Sequence, residues 1–240
     1  MAQDSLLSAS DHIYVINLPD RTDRRQEMER QLTKIGVSFT SPQVTLFPAV
    51  RPTDRGEFPS IGSRGCFLSH LGVLRDAAER GFGLILLLED DVDFTRHFLL
   101  RSPMLPAALA DCDIVYLGHL AKGPLKERVP PDPACLTAPP TTHLMLAHAI
   151  MLRREIIQRL IPFLEAMLKR PGGDPAGGPM HVDGAYSWFR EDHPQIETIV
   201  MREQWCVQRS SRTDIGLLTW KDRIPFVEVV RGLRNRMRGR

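Results

Sequence analysis

Three observations predict an α/β fold with one mostly parallel central sheet. Short apolar runs of strand length alternate with helical patterns along the chain. The run at residues 84–88 has no polar face, as expected of a strand covered on both sides. Four carboxylates, Glu89, Asp90, Asp91 and Asp93, follow within five positions. The crevice past the strand ends is where open α/β sheets bind ligands. At 240 residues the chain suits one large domain rather than two.

In order, residues 12–18 read as a first strand. Pro19-Asp20-Arg21-Thr22 turns it into a helix with Met28, Leu32 and Ile35 on one face, stopped at Gly36. Residues 44–50 supply a second strand. Residues 51–65 read as a loop, because they carry Pro52, Gly56, Pro59, Gly62 and Gly65. Phe67, Leu71, Leu74 and Ala78 then mark a helix over 66–80, closed by Gly81 and Gly83. The 84–88 strand follows, and 113–117 is another. Six prolines make 122–140 a long surface loop. Residues 143–152 are apolar and extended, and 153–168 are helical, with Pro162 expected to kink or divide that helix. Residues 170–179 read as a flexible Gly/Pro loop and 182–189 as a short helix. No internal repeat is visible.

Composition narrows the class. Apolar content of 42% and charged content of 25% are ordinary for a globular protein and exclude a disordered or fibrous chain. The net charge of +2 is unevenly placed: residues 231–240 hold five arginines and no acid, leaving the rest at −3. Four scattered cysteines without a CxxC pair argue against a zinc site and a disulfide scaffold. The polar start shows no signal peptide, and no apolar run approaches membrane-spanning length. A reducing, cytoplasmic setting is the expectation.

Three constellations carry chemistry. In an extended segment Glu89, Asp91 and Asp93 share one side, with Asp90 on the other. Massed carboxylates repel one another unless a cation neutralises them, and Mg2+ or Mn2+ prefers a few carboxylates plus phosphate oxygens. A solvated acidic turn is the plain alternative. Two phosphate chemistries fit: a nucleotide-sugar transferase with an Asp-x-Asp motif, or a haloacid-dehalogenase-type phosphatase, since Asp91-Val92-Asp93-Phe94-Thr95 matches DxDxT. Second, Asn17 with Arg21 and Arg24 stands where a first strand passes into a helix, a place suited to phosphate or to surface ion pairs. Third, Gly62-Ser63-Arg64-Gly65-Cys66-Phe67-Leu68-Ser69-His70 puts glycines before a helix and Ser69 and His70 one turn inside it. His70 alone reads as a structural hydrogen-bonding residue, and Cys66 as a small packed hydrophobe.

Together these resemble glycosyltransferase family 25, which includes lipooligosaccharide and collagen galactosyltransferases. The resemblance rests on Ile16-Asn17-Leu18 with Arg21 and Arg24, on Gly62 through His70, and on Leu88-Glu89-Asp90-Asp91. His148-Ala149-Ile150, Val182-Asp183 and the stretch from Gln208 to Ile215 are similar to later family segments. Ile150 replaces a usual aromatic, Pro19-Asp20 departs from the pattern, and 170–179 reads as an insertion. The resemblance implies a GT-A-type Rossmann-like fold. It implies inverting, metal-dependent transfer of a sugar, galactose above all, from a UDP-sugar to a glycan or glycolipid hydroxyl, with Mn2+ or Mg2+ as cofactor. Asp91 is then the main metal ligand, with Asp93 secondary. Asn17, Arg21, Arg24, Gly65, Ser69, His70, Glu89 and Asp90 attend the donor. Asp183 is the candidate base, against a plain role as a helix N-cap, with Glu191 and Asp192 behind it.

The transferase domain is expected over 1–222 and a basic amphipathic tail over 223–240. Phe226, Val230, Leu233 and Met237 share a helical face amid the arginines, so 224–240 reads as an interfacial helix for anionic lipid. That implies peripheral attachment to the inner face of the cytoplasmic membrane. No aromatic platform supports nucleic-acid binding. A catalytically silent, transferase-like binding protein is the remaining class.

Overall fold

The computed structural model describes residues 10–101, 112–129 and 133–209. The expected tail and the boundary at 222 lie outside the described residues. The chain opens with β1 (His12–Asn17), α1 (Thr22–Lys34), β2 (Val44–Pro48), α2 (Ile61–Arg80) and β3 (Leu84–Glu89). These form the parallel half, with β1 between β2 and β3. A short strand β4 (Val92–Phe94), which pairs only with the last described strand, and α3 (Arg96–Arg101) follow. Then come β5 (Ile114–Tyr116), β6 (Leu120–Lys122), β7 (Lys126–Glu127), β8 (Cys135–Thr137), β9 (His143–Met145) and β10 (Ala149–Arg153). The described part closes with α4 (Arg154–Leu168), α5 (Val182–Asp192), β11 (Thr198–Met201) and β12 (Cys206–Gln208).

The main sheet runs β2-β1-β3-β10-β5-β11-β8-β7. Six of its eight strands point the same way; β10 and β8 oppose them. Alternation along β3 explains its all-apolar sequence. Ile85 and Leu87 pack under α2, α4 and α5, while Leu86 and Leu88 pack against α1 and the Phe94, Phe98 and Trp205 cluster. Both faces are therefore dry, and the carboxylates begin where the cover ends.

Four expectations need correction. The loop expected to reach 65 ends at Ser60, which caps α2 at its start in a reciprocal pair with Ser63. Gly62 and Gly65 thus lie inside the helix. The proline-rich 122–140 stretch contributes β7 and β8, because buried Cys135 and its neighbours pair with β11. Pro162 does not divide α4: it faces solvent, while Ile156, Leu160, Leu164 and Met167 hold the buried face. Residues 143–152 are two strands in different sheets, broken at Leu146, whose φ is 72°. Strands β4, β6, β11 and β12 had no counterpart in the sequence reading.

Candidate active site

A pocket of about 430 Å³ opens past the C-terminal ends of β1 and β3. Its floor is Glu89, Asp90 and Asp91, and its sides are Arg24, the segment 49–52 and the first half of α2. The order β2-β1-β3 makes this the point where successive crossovers leave in opposite directions.

Each acid is held differently. Asp90 is buried and accepts from Asn17 Nδ2 at 2.7 Å and from Arg24 Nη1 at 2.7 Å. Asp91 is buried too; Gln208 Nε2 donates to its Oδ2 at 3.2 Å, and Arg24 stands 3.6 Å away. Its Oδ1 is buried and has no protein partner. Glu89 accepts from His70 Nε2 at 3.3 Å, and Cys66 Sγ lies 3.5 Å from the same oxygen. Burial, then the Glu89 charge, push the Asp91 carboxyl up to about 7, against the pull of Arg24. Burial opposes ionisation of Glu89, but His70 and then His148 hold it below the ordinary range. Burial and Glu89 raise the Cys66 thiol. The site thus concentrates negative charge around the unsatisfied Oδ1 of Asp91.

The wall is built by close approach. Ser69 Oγ accepts from Val50 N at 2.8 Å and donates to Gly65 O at 2.6 Å. A Cβ on Gly65 would stand 2.7 Å from Val50 O, so only glycine lets the 49–52 segment lie against α2. Ser69 was expected beside the donor; it lines the pocket, but its hydroxyl is engaged in this brace.

Of the sequence candidates, Arg24, Gly65, Ser69, His70, Glu89, Asp90 and Asp91 line the pocket. Asn17 stands behind them and acts through Asp90. Arg21 pairs with exposed Asp23 at 2.9 Å and is not in the lining. Asp93 is corrected most sharply. The chain turns at Asp90 and Asp91, so the run is not one extended strand. Asp93 instead meets Gln31 at 2.5 Å and Arg209 at 2.6 Å, in a network with Glu27. With Thr95 Oγ1 donating to Gln204 O at 2.8 Å, the DxDxT phosphatase arrangement is not assembled.

Asp183 lies in the first turn of α5, but His181 holds the N-cap position. Its carboxylate accepts from Leu146 N at 3.2 Å and Gly184 N at 2.8 Å. Its charge adds to the upward push on the Cys66 thiol and the Tyr116 hydroxyl, but Asp183 itself is not in the pocket lining. Glu191 and Asp192 are exposed at the opposite end of α5 and do not join the site.

The sequence reading missed three residues. Arg51 lines the pocket and pairs with Asp20 at 3.0 Å; its signal was an arginine just past a strand end. Gln208, noted only within a motif, returns on β12 to touch Asp91. His148, also noted only within a motif, is buried beside Glu89, whose N–H donates to its carbonyl at 2.8 Å.

Residues 10–129 match the sequence profile of "Glycosyltransferase family 25 (LPS biosynthesis protein)". Among curated proteins, the chain is 30% identical over 129 residues to "Procollagen galactosyltransferase 1-B" of Xenopus laevis, covering 45% of this chain and 21% of that one. It is 29% identical over 210 residues to "Procollagen galactosyltransferase 2" of Mus musculus, covering 78% and 31%. It is also 27% identical over 179 residues to "Inactive glycosyltransferase 25 family member 3" of Homo sapiens, covering 63% and 30%. The chain therefore spans less than a third of these relatives' length. A solved glycosyltransferase involved in glycosylation of the major capsid of PBCV-1 shares the fold. Its TM-score is 0.51 at 11% identity, over 84% of this chain and 93% of that one. The architecture is of GT-A type.

Proposed function

This chain belongs to glycosyltransferase family 25, and from that premise we propose that it transfers a sugar, galactose above all, from a UDP-sugar to a hydroxyl of a cell-surface glycan or glycolipid such as lipooligosaccharide. The observation that carries the reading is the pocket past β1 and β3, with Arg24 and three acids around it. Relatives named as procollagen galactosyltransferases support the choice of sugar.

The residues fit a hard divalent cation, Mn2+ or Mg2+. Asp91 Oδ1 is a buried carboxylate oxygen without a partner, and the nearest neighbouring acids are Asp90 and Glu89. Oxygen donors suit these ions. Asp91 would be the main ligand, with Asp90 beside it. A bound cation supplies counter-charge for the departing diphosphate.

The chain's own groups do the rest. Arg24 is fixed by Asp90, so its guanidinium stays near the phosphates without reorganising. Arg51 at the mouth is able to exchange Asp20 for a nucleotide phosphate. The wall at 49–52 excludes water from one side. Inversion requires a base opposite the leaving group, which takes the acceptor proton as the new bond forms. Asp183 is that base in this proposal: its carboxylate is held by the backbone N–H groups of Leu146 and Gly184. The tail at 224–240 is proposed to hold the enzyme on anionic lipid at the inner face of the cytoplasmic membrane. Liposome flotation with and without that segment tests it.

The test of function is a thermal-shift panel of nucleotide-sugars with and without Mn2+, followed by transfer and donor-hydrolysis assays. The expected result is a manganese-dependent shift for one UDP-sugar. In Asp91→Asn that shift and transfer both disappear while the fold persists. Full activity in Asp91→Asn would sink the metal reading. UDP binding without manganese dependence, transfer or hydrolysis would favour a silent protein, as the human relative's name describes.

A further inference from the structure

Beside the oxygen cluster stands a second set of donors of different chemistry. Cys66 and His70 are four residues apart on α2, one above the other on its pocket-facing side. Glu89 ends β3 opposite them. The Cys66 thiol, a His70 ring nitrogen and a Glu89 oxygen all lie within 4.8 Å of one another. We propose that Cys66, His70 and Glu89 form a binding site for zinc, separate in donor chemistry from the oxygen-only pair at Asp90 and Asp91.

Several features support it. Thiolate, imidazole and carboxylate are the donor types that zinc accepts together, whereas Mg2+ prefers oxygen alone. The two inner contacts, 3.3 Å from His70 and 3.5 Å from Cys66, meet on one Glu89 oxygen. Modest widening around a central ion turns them into ligand bonds. His70 is fully buried and its other nitrogen meets Tyr186 Oη at 3.0 Å. Such a partner fixes the ring of a metal-bound histidine. A hydroxyl both donates and accepts, so Tyr186 serves either tautomer. Without metal, Nε2–H donates to Glu89; with metal, Nδ1–H donates to Tyr186 and the Nε2 lone pair is freed. Cys66 loses its proton to solvent as the sulfur–zinc bond forms, and no redox partner is needed. All three residues line the pocket, so a fourth position faces open space, as in zinc sites with three protein ligands. The sequence argued against a zinc site because no CxxC pair is present, but that pattern does not bear on a site that the fold assembles from one cysteine, a histidine and a glutamate.

The experiment is cobalt titration of the full chain without nucleotide, read by absorption, with zinc competition for affinity. One equivalent of Co2+ is expected to give a thiolate-to-cobalt charge-transfer band and tetrahedral d–d bands, both removed by added zinc. Cys66→Ser should lose the charge-transfer band. Tyr186→Phe should keep it but weaken zinc by roughly 10–100-fold, the usual cost of an outer partner. Asp91→Asn should keep it unchanged, which separates this site from the manganese site and from the fate of the functional reading. Should Cys66→Ser fail to fold, zinc protection of Cys66 from alkylation in the wild-type chain replaces it. Absence of a charge-transfer band with wild-type protein, its persistence in Cys66→Ser, or alkylation of Cys66 indifferent to zinc would each overturn the proposal.

Discussion

Replacing Gly65 by alanine sets two known magnitudes against each other. Gly65 is inside α2, where alanine is favoured over glycine by about 1 kcal/mol. Considered as a helix position alone, Gly65→Ala stabilises. The new Cβ, however, would stand 2.7 Å from Val50 O and 3.2 Å from Pro52 Cδ. The first partner is backbone and cannot swing aside. Moving it away pulls on the Val50 N to Ser69 Oγ bond, now 2.8 Å, and a lost hydrogen bond of this kind costs about 1 kcal/mol. Overpacking of a tight contact costs about 1–3 kcal/mol. The clash and the weakened bond together exceed the helix gain, leaving a net destabilisation of about 1–3 kcal/mol. The pocket wall feels all of it, because the retreating segment is the wall. A loss of about 1.4 kcal/mol there is tenfold in affinity. Urea unfolding and calorimetric titration with UDP plus manganese read the two effects. Gly72→Ala is the control: its Cβ meets the Phe47 ring at 2.9 Å, away from the pocket lining, so donor affinity should hold. A Gly65→Ala protein more stable than wild type, with unchanged UDP affinity, would refute the wall argument.

Other expectations follow from the same geometry. Asp183→Asn should retain donor binding and lose turnover; a collapse of UDP-sugar affinity instead would move Asp183 into the donor site. Arg190 is buried, with its guanidinium donating to Thr198 Oγ1 and to the carbonyls of Thr142, Ala138 and Pro139. Arg190→Met strands those acceptors and should cost at least about 3 kcal/mol in urea unfolding; a loss under 1 kcal/mol would contradict this. Burial, then the His148 charge, depress His119 from its ordinary 6.5 to about 4. Its folded pKa lies below its unfolded one, so its contribution is present above pH 6.5 and lost as pH falls toward 4. That contribution is at most about 3 kcal/mol, less for its partial exposure. Urea midpoints of wild type and His119→Gln should converge between pH 7 and pH 4.5; parallel pH curves would exclude His119 as a contributor.

Much of the parallel half was legible. The 84–88 run announces a strand covered on both sides because nothing polar interrupts it, and the buried β3 agrees. Gly36 and Gly81 mark helix ends because each has left-handed φ, 79° and 71°. The far half was less legible. Thr198–Met201 is only four residues, too short for a period, and its strand identity comes from pairing with β5 and β8. Cys135–Thr137 was hidden among prolines for the same reason. A sheet edge is decided by partners far along the chain, and no local pattern reports them.

The acidic cluster divides the same way. That carboxylates gather at the end of a buried strand is written in residues 84–93, and Arg24 and His70, which attend them, stand out in their own segments. Which acid faces the pocket is not. Asn17 and Arg24, 73 and 66 residues before Asp90, pin it and turn the chain there. Arg209, 116 residues after Asp93, draws that acid away. By itself, then, the sequence determined the strand, the clustered charge and the family. Only the tertiary structure decided that Asp91 carries the unsatisfied oxygen, since the charges competing for each acid arrive from the far ends of the chain.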